Sequence, residues 1–312
     1  MVVLAAACAV WVAPAQARGA QPELPPRHRV GLGVSTHGVS AGGRHPGMAL
    51  DRYAARVGRM PRIAMWYQTW YGSQLVVRRV LRPVHRRGVT PMITWMPRTS
   101  PSTAAGLADI AAGTYDGYLA QAAADARAWG HRLLVRPFHE MNGRWEPWGF
   151  GVNGNTAADF VAAWRHVVSV FRANRATNVR FVFSPNVISA NSPDFRPLYP
   201  GDRYVDRVAL DGYNWGASTP STTWRGFHRI FGRSYRILAR LSSRRMLIAE
   251  TASSERGGDK AAWIRHAFLR AMPRDFPRIR AVVWFNHRKE TSWPVGSSRA
   301  ALRAYRRVVA AE

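Results

Sequence analysis

Short apolar runs alternate with longer amphipathic segments along most of the chain. The runs occupy residues 30–35, 62–67, 90–95, 133–139, 179–184, 208–213, 246–250 and 281–285. Each has the length of a strand buried on both faces. Between them the spacing becomes helical. Residues 156–174 place Phe160, Trp164, Val167, Val168 and Phe171 on one helical face, and Thr156 with Asp159 forms a capping pair at its start. Segments 116–130 and 259–272 also read as helices, each opening on an aspartate that suits a helix N-terminus. Strands separated by helices imply right-handed parallel crossovers, and eight of them imply a closed sheet. The pattern predicts an α/β protein, a single (β/α)8 TIM barrel over residues 30–312. About twenty residues separate the third run from its helix, which predicts a long loop on the active face. No internal repeat is strong enough for a solenoid.

Length and composition agree with one such domain. A chain of 312 residues exceeds the typical barrel of about 250 by a modest extension. Residues 1–17 carry no charge and end in Ala15-Gln16-Ala17, a small-x-small cleavage pattern, so they read as a signal peptide and the protein as secreted. That segment is too short and too proline-broken to span a membrane, so no membrane insertion is expected. Residues 18–29 form a Pro-rich polar linker. Cys8 is the sole cysteine, so cleavage would leave no disulfide and no thiolate metal site.

The formal net charge of +27 is almost wholly arginine, Lys260 and Lys289 being the only lysines. Such a surface attracts anionic polymers non-specifically, with strong salt dependence. No basic run is interleaved with stacking aromatics and no nucleic-acid module is recognisable, so no specific nucleic-acid partner is expected.

Seven glutamates allow each to be weighed. Glu23 lies in the linker, Glu312 is terminal, and Glu146, Glu255 and Glu290 sit in polar loop sequence. Glu140 and Glu250 alone close apolar strands, the fourth and seventh, and in a barrel those carboxyl ends face the active site. Two carboxyls flanking a glycosidic bond suffice to hydrolyse it: one protonates the leaving oxygen while the other attacks the anomeric carbon or activates water. Phe138, Met141 and Trp145 flank Glu140 and suit a carboxyl kept protonated, whereas Tyr213 and Asn214 on the sixth strand offer donors to an ionised Glu250.

Tryptophans point the same way. Trp66, Trp70, Trp95, Trp145, Trp148, Trp215, Trp284 and Trp293 fall at or beyond strand ends, while Trp129, Trp164 and Trp263 lie in helices. Indole faces stack on the C–H face of a pyranose. Arg136 and Asn142, on either side of the His139-Glu140 pair, complete the candidate substrate-binding set. Other chemistries lack their motifs. His139-Glu140 is not HExxH, because Gly143 follows; the Gly-rich stretch after Gly33 lacks GxGxxG order; no GxSxG elbow occurs. No metal and no cofactor are expected.

"RPFHEMNGRWEPWG", "YVDRVALDGYNWG", "MLIAETASSERGGDKAAW" and "AVVWFN" together resemble glycoside hydrolase family 26, the retaining endo-β-mannanase family of clan A. The resemblance runs from about residue 30 to the C-terminus. It implies a (β/α)8 barrel with Glu140 as acid/base and Glu250 as nucleophile, their carboxyls about 5–5.5 Å apart. It further implies that His139 contacts the sugar at the reacting centre, that Tyr213 hydrogen-bonds the nucleophile, that Trp284 is a stacking platform, and that Trp145 and Trp148 wall the cleft. Met96, His287 and Arg288 depart from the family pattern at the cleft walls, which bears on substrate rather than reaction.

The sequence thus leads to a secreted retaining endo-β-glycanase, with β-1,4-mannan as the foremost substrate. Mixed-linkage β-glucan and β-1,3-xylan are the alternatives within the family. A barrel that binds glycans without cleaving them is the alternative outside it.

Overall fold

The computed structural model describes residues 30–72 and 74–312; the signal-peptide and linker readings and Cys8 lie outside the described residues. Eight parallel strands pair in sequence order and close into a barrel. They are β1 (Gly31–Thr36), β2 (Ile63–Thr69), β3 (Thr90–Met96), β4 (Leu133–Pro137), β5 (Val179–Phe183), β6 (Arg207–Asn214), β7 (Arg245–Ser253) and β8 (Ile279–Asn286). All eight apolar runs are strands, with boundaries that differ by at most three residues.

Helices α1 (Pro46–Val57) and α2 (Arg78–Arg86) follow β1 and β2. The long third connection contains a short helix, α3 (Leu107–Ala111), before α4 (Asp116–Trp129). Beyond it lie α5 (Ala157–Ala173), α6 (Phe227–Leu241), α7 (Lys260–His266), α8 (Met272–Asp275) and α9 (Arg299–Ala311). The α5 capping pair forms as the spacing requires: Thr156 accepts from the Asp159 amide and Asp159 from the Thr156 amide. Asp259 caps α7 through the Ala262 amide. No helix of the described residues is long and apolar enough to cross a membrane.

Alternation along the strands divides the core in two. Met65, Met92, Leu134, Val182, Ala209, Leu247 and Val283 fill the barrel interior. Their neighbours point outward and join the helix faces in the larger cluster, where Phe160, Trp164, Val167, Val168 and Phe171 of α5 are all buried. At roughly 25 cal/mol per Å² of apolar area, each such aromatic contributes a few kcal/mol on burial.

Two local irregularities build the mouth of the barrel. On β7 the register slips: Leu210 pairs Ile248 but Asp211 pairs Glu250, so Ala249 is extra. Without that bulge the period of two would send Glu250 outward to the helices, because Leu247 and Ala249 already face in. After β4, Phe138 and Glu140 adopt left-handed backbone with φ of 48° and 53°. Such conformations cost of order 1–3 kcal/mol for residues other than glycine and persist only where surroundings enforce them. Here the Ser184 carbonyl accepts from the Glu140 amide at 2.8 Å, and the Glu140 carbonyl from the Gly143 amide at 2.7 Å.

Candidate active site

Three carboxyl groups and one guanidinium gather at the C-terminal mouth. Arg136 is fully buried on β4. Its Nη1 donates to Asp211 Oδ2 at 2.8 Å, its Nη2 to Glu250 Oε1, and its Nε to Thr94 Oγ1 at 2.9 Å. The second Glu250 oxygen accepts from Tyr213 Oη at 2.5 Å. Tyr67, the inward residue of β2, closes this side, its ring 6.0 Å from the Arg136 guanidinium and 5.7 Å from the His139 imidazole.

Glu140 lies across the mouth in a different setting. Asn186 Nδ2 donates to its Oε1 at 2.7 Å and Trp145 Nε1 to its Oε2 at 2.6 Å, both neutral donors. Burial, reinforced by the charge of Glu250, pushes the Glu140 carboxyl up to about 7 despite those donors and Arg136. Burial also opposes ionisation of Glu250, but the Arg136 charge, aided by the Tyr213 and Tyr67 hydroxyls, outweighs it and holds Glu250 below the ordinary value. One carboxyl is thus set to carry a proton near neutrality and the other to be charged. Burial raises Asp211 well above its ordinary range, opposed first by Arg136.

His139 is buried between Tyr67 and Trp148, and burial lowers it to about 3, so its ring is neutral. Its Nε2 lies 3.7 Å from Glu146 Oε1, and its Nδ1 has no partner among the described residues. Glu146 is paired with Arg98 at 3.0 Å. The strand-end position that singles out Glu140 gives no warning of this, because Glu146 reaches the site from a loop.

The structure brings Glu140, Glu250, His139, Tyr213 and Trp145 together. Trp145 is 47% exposed and Trp215 is partly exposed beside Trp293, with ring centroids 4.9 Å apart. The other candidates require correction. Trp95 and Trp284 are fully buried and point outward: Trp95 packs on Tyr118 and Phe171, Trp284 on Trp263, Phe268 and Tyr305. Neither can stack on a sugar, because the inward parity of β3 and β8 belongs to Thr94 and Phe285. Trp148 is 1% exposed and donates to the His139 carbonyl at 2.8 Å, so it supports the cleft wall from behind. Arg136 and Asn142 are also sealed. Arg136 serves the carboxylates, and Asn142 ties the Asn186 and Pro193 carbonyls and the Asn186 amide, fixing the loop that presents Asn186 to Glu140.

Sequence reasoning missed Asp211, Tyr67, Asn186 and Phe285. For the three on strands, the signal was available: each lies at inward parity at a strand's C-terminal half, and a polar residue there faces the mouth. His287, at the end of β8, bonds Ser35 at 2.9 Å and meets His37 edge-on. No cluster of metal-ligating residues occurs among the described residues.

A parallel eight-stranded barrel with two glutamates in opposite electrostatic settings, one just past β4 and one in β7, has the architecture of a glycoside-cleaving barrel. Residues 116–266 match the family described as Glycosyl hydrolase family 26, and the chain belongs to that family. The chain is 38% identical over 267 residues to Endoglucanase H of Acetivibrio thermocellus, an alignment covering 84% of this chain and 29% of that protein. It is 41% identical over 90 residues to Mannan endo-1,4-beta-mannosidase A and B of Caldalkalibacillus mannanilyticus, covering 27% of this chain and 17% of that one. The chain therefore spans under a third of the length of these relatives. Among solved structures, the catalytic domain of a Bacillus sp. JAMB-750 endo-beta-1,4-mannanase superposes with a TM-score of 0.68 at 20% identity, covering 90% of this chain and 85% of that one. At that identity the superposition shows the shared barrel alone.

Proposed function

We propose that the protein is a secreted endo-acting glycoside hydrolase that cleaves a β-linked polysaccharide with retention of configuration. The observation that carries this reading is the asymmetric pair: Glu140 pushed up to about 7 by burial and the charge of Glu250, Glu250 held low by Arg136 and Tyr213. Glu250 attacks the anomeric carbon and forms a glycosyl ester while Glu140 passes its proton to the leaving oxygen. Glu140, now ionised, takes a proton from water, whose oxygen attacks the anomeric carbon and releases Glu250. Trp145 holds Glu140 through its indole N–H and offers its exposed face to the sugar beyond the cleaved bond. The neutral His139 ring, packed between Tyr67 and Trp148, forms the wall beside the carboxyl pair and takes part in binding the sugar there.

Two substrates compete. β-1,4-Mannan is favoured by the relatives named as mannan endo-1,4-beta-mannosidases, which align over 27% and 30% of the chain. β-Glucan is favoured by the relative that aligns over most of it and carries the name of an endoglucanase. The test is product release from galactomannan, glucomannan, lichenan and β-1,3-xylan by the full chain, with Glu250→Ala alongside. Oligosaccharides from one polymer, released by wild type alone, establish reaction and substrate together. Equal release by Glu250→Ala overturns the assignment of Glu250, and binding without release by wild type turns the reading to a glycan-binding barrel.

A further inference from the structure

At the opposite end of the barrel, four adjacent strands begin alike. Leu134, Val182, Ala209 and Leu247 are inward residues of β4, β5, β6 and β7. Two positions before each, at the same inward parity, stand Arg132, Arg180, Arg207 and Arg245. Pairing fixes their levels: Arg207 lies directly beside Arg245, Arg207 beside Val182, and Arg180 beside Leu134. Counted the same way along β1, β2, β3 and β8, the inward positions are Gly31, Pro61, Thr90 and Ala281, none charged, with Ala281 paired to Leu247 rather than to Arg245. One half of the N-terminal mouth is therefore a wall of guanidinium groups, and the other half is small or neutral.

This wall has no acidic counterpart. Among the described residues none of the four arginines forms an ion pair. The neighbouring carboxylate, Asp206, accepts from the Phe181 amide at 2.9 Å. Arg180 Nη1 donates to the Thr177 carbonyl at 2.6 Å and the Val179 carbonyl at 3.1 Å, and Arg207 Nη1 to the Asp206 carbonyl at 3.0 Å, which leaves Nε and Nη2 of both guanidinium groups unspent among the described residues. Arg207 is half-buried, and burial first, then the charges of Arg245, Arg132 and Arg180, make it less basic than usual in spite of Asp206. Convergent, unneutralised guanidinium groups with free N–H forks match the charge and geometry of a phosphate-type oxyanion.

We propose that the N-terminal mouth of the barrel, lined by Arg132, Arg180, Arg207 and Arg245, is a binding site for a phosphate-type polyanion, on the face opposite the catalytic cleft. Such a site holds the protein on a phosphate-bearing polymer while leaving the cleft free. It is independent of which glycan the cleft cleaves.

The test compares two triple variants of equal charge. Arg180→Ser/Arg207→Ser/Arg245→Ser removes the wall, and Arg82→Ser/Arg86→Ser/Arg236→Ser removes three exposed arginines from α2 and α6. Pyrophosphate and long-chain polyphosphate are titrated calorimetrically at fixed ionic strength. The wild type is expected to bind with a saturable stoichiometry, the first variant at least about tenfold more weakly, and the second within about twofold, since diffuse charge alone responds to net charge and not to position. Binding of both probes identifies a compact oxyanion site, and binding of polyphosphate alone identifies a site for a polymer-borne one. Should both variants lose affinity equally, or the wild type bind neither probe, the proposal is overturned. As a check that needs no variant, whichever of the two probes binds should raise the wild-type Tm by roughly 2–5 °C over chloride at matched ionic strength; no rise with either probe counts against the site.

Discussion

Asn186 Nδ2 lies 2.7 Å from Glu140 Oε1 and binds the charged form of that carboxylate better than the neutral one. Removing the donor raises the Glu140 value further, because Asn186 is the strongest single influence pulling it down. In the proposed mechanism Glu140 must be protonated to donate and Glu250 ionised to attack, so kcat/KM should fall above about pH 7 and again in acid below the ordinary glutamate value of 4.5. In Asn186→Ala the alkaline limb should move to higher pH while the acid limb stays. A pH–rate profile on a soluble oligosaccharide checks this; a shift of the acid limb instead would exchange the roles of the two glutamates.

The proposed role of Glu250 as nucleophile requires retention, and small anions can report on it. Glu250→Gly opens a space beside the anomeric carbon, so azide should restore turnover of an activated aryl glycoside and leave an α-glycosyl azide. Glu140→Gly should slow natural substrates by roughly 10²–10⁴-fold, the usual contribution of a positioned acid, and yield a β-glycosyl azide with azide present. Proton NMR of the products distinguishes the two anomers. A β-azide from the Glu250 variant would instead make Glu250 the acid/base and Glu140 the nucleophile.

Much of this was legible in the sequence, for reasons that differ by residue. Glu140 and Glu250 stood out because a carboxylate ending an apolar parallel strand has no structural reason to be there. The bulge at Ala249, which turns Glu250 inward, was not legible, since it appears only when β7 is paired against β6 and β8. Asp211 was passed over because attention stayed on glutamates, although its parity matches that of Ala209. Tryptophans misled for the same reason in reverse: nearness to a strand end was read as nearness to the cleft, whereas alternation sends Trp95 and Trp284 outward. Asn186 depends on a loop tied by Asn142, and no periodicity encodes that.

The burial of these tryptophans separates their effects. Trp95→Ala and Trp284→Ala remove fully buried side chains and should each cost about 3–5 kcal/mol of stability. KM of the folded fraction should stay near wild type. Trp145→Ala removes an exposed ring and should leave Tm within a few degrees, while kcat/KM falls and the alkaline limb moves up as Glu140 loses a donor. Urea unfolding and steady-state kinetics on the three variants test the division. A KM change in Trp284→Ala, with stability intact, would restore it to the cleft.

Arg136 is the strongest test of how the site is held. Its one positive charge serves Asp211 and Glu250 together, all three sealed from solvent or nearly so. Replacing it with Met strands two buried carboxyls, a change expected to cost about 3–5 kcal/mol near neutral pH. The cost should depend on pH with a definite sign. In the wild type, Glu250 has a folded value below 4.5, so it adds stability above that pH and loses it as pH falls through the folded value. Without Arg136, burial alone acts, and both carboxyls prefer to be protonated when folded; the variant is then relatively favoured in acid and penalised as pH rises. The difference between wild type and Arg136→Met should therefore be largest near pH 7 and shrink toward pH 4, as measured by urea unfolding at both. Arg136→Lys keeps the charge but loses the fork that reaches both carboxylates at once, so it should recover part of the stability and little of the activity. An equal loss for Met at both pH values would mean that Arg136 acts by filling space rather than by charge.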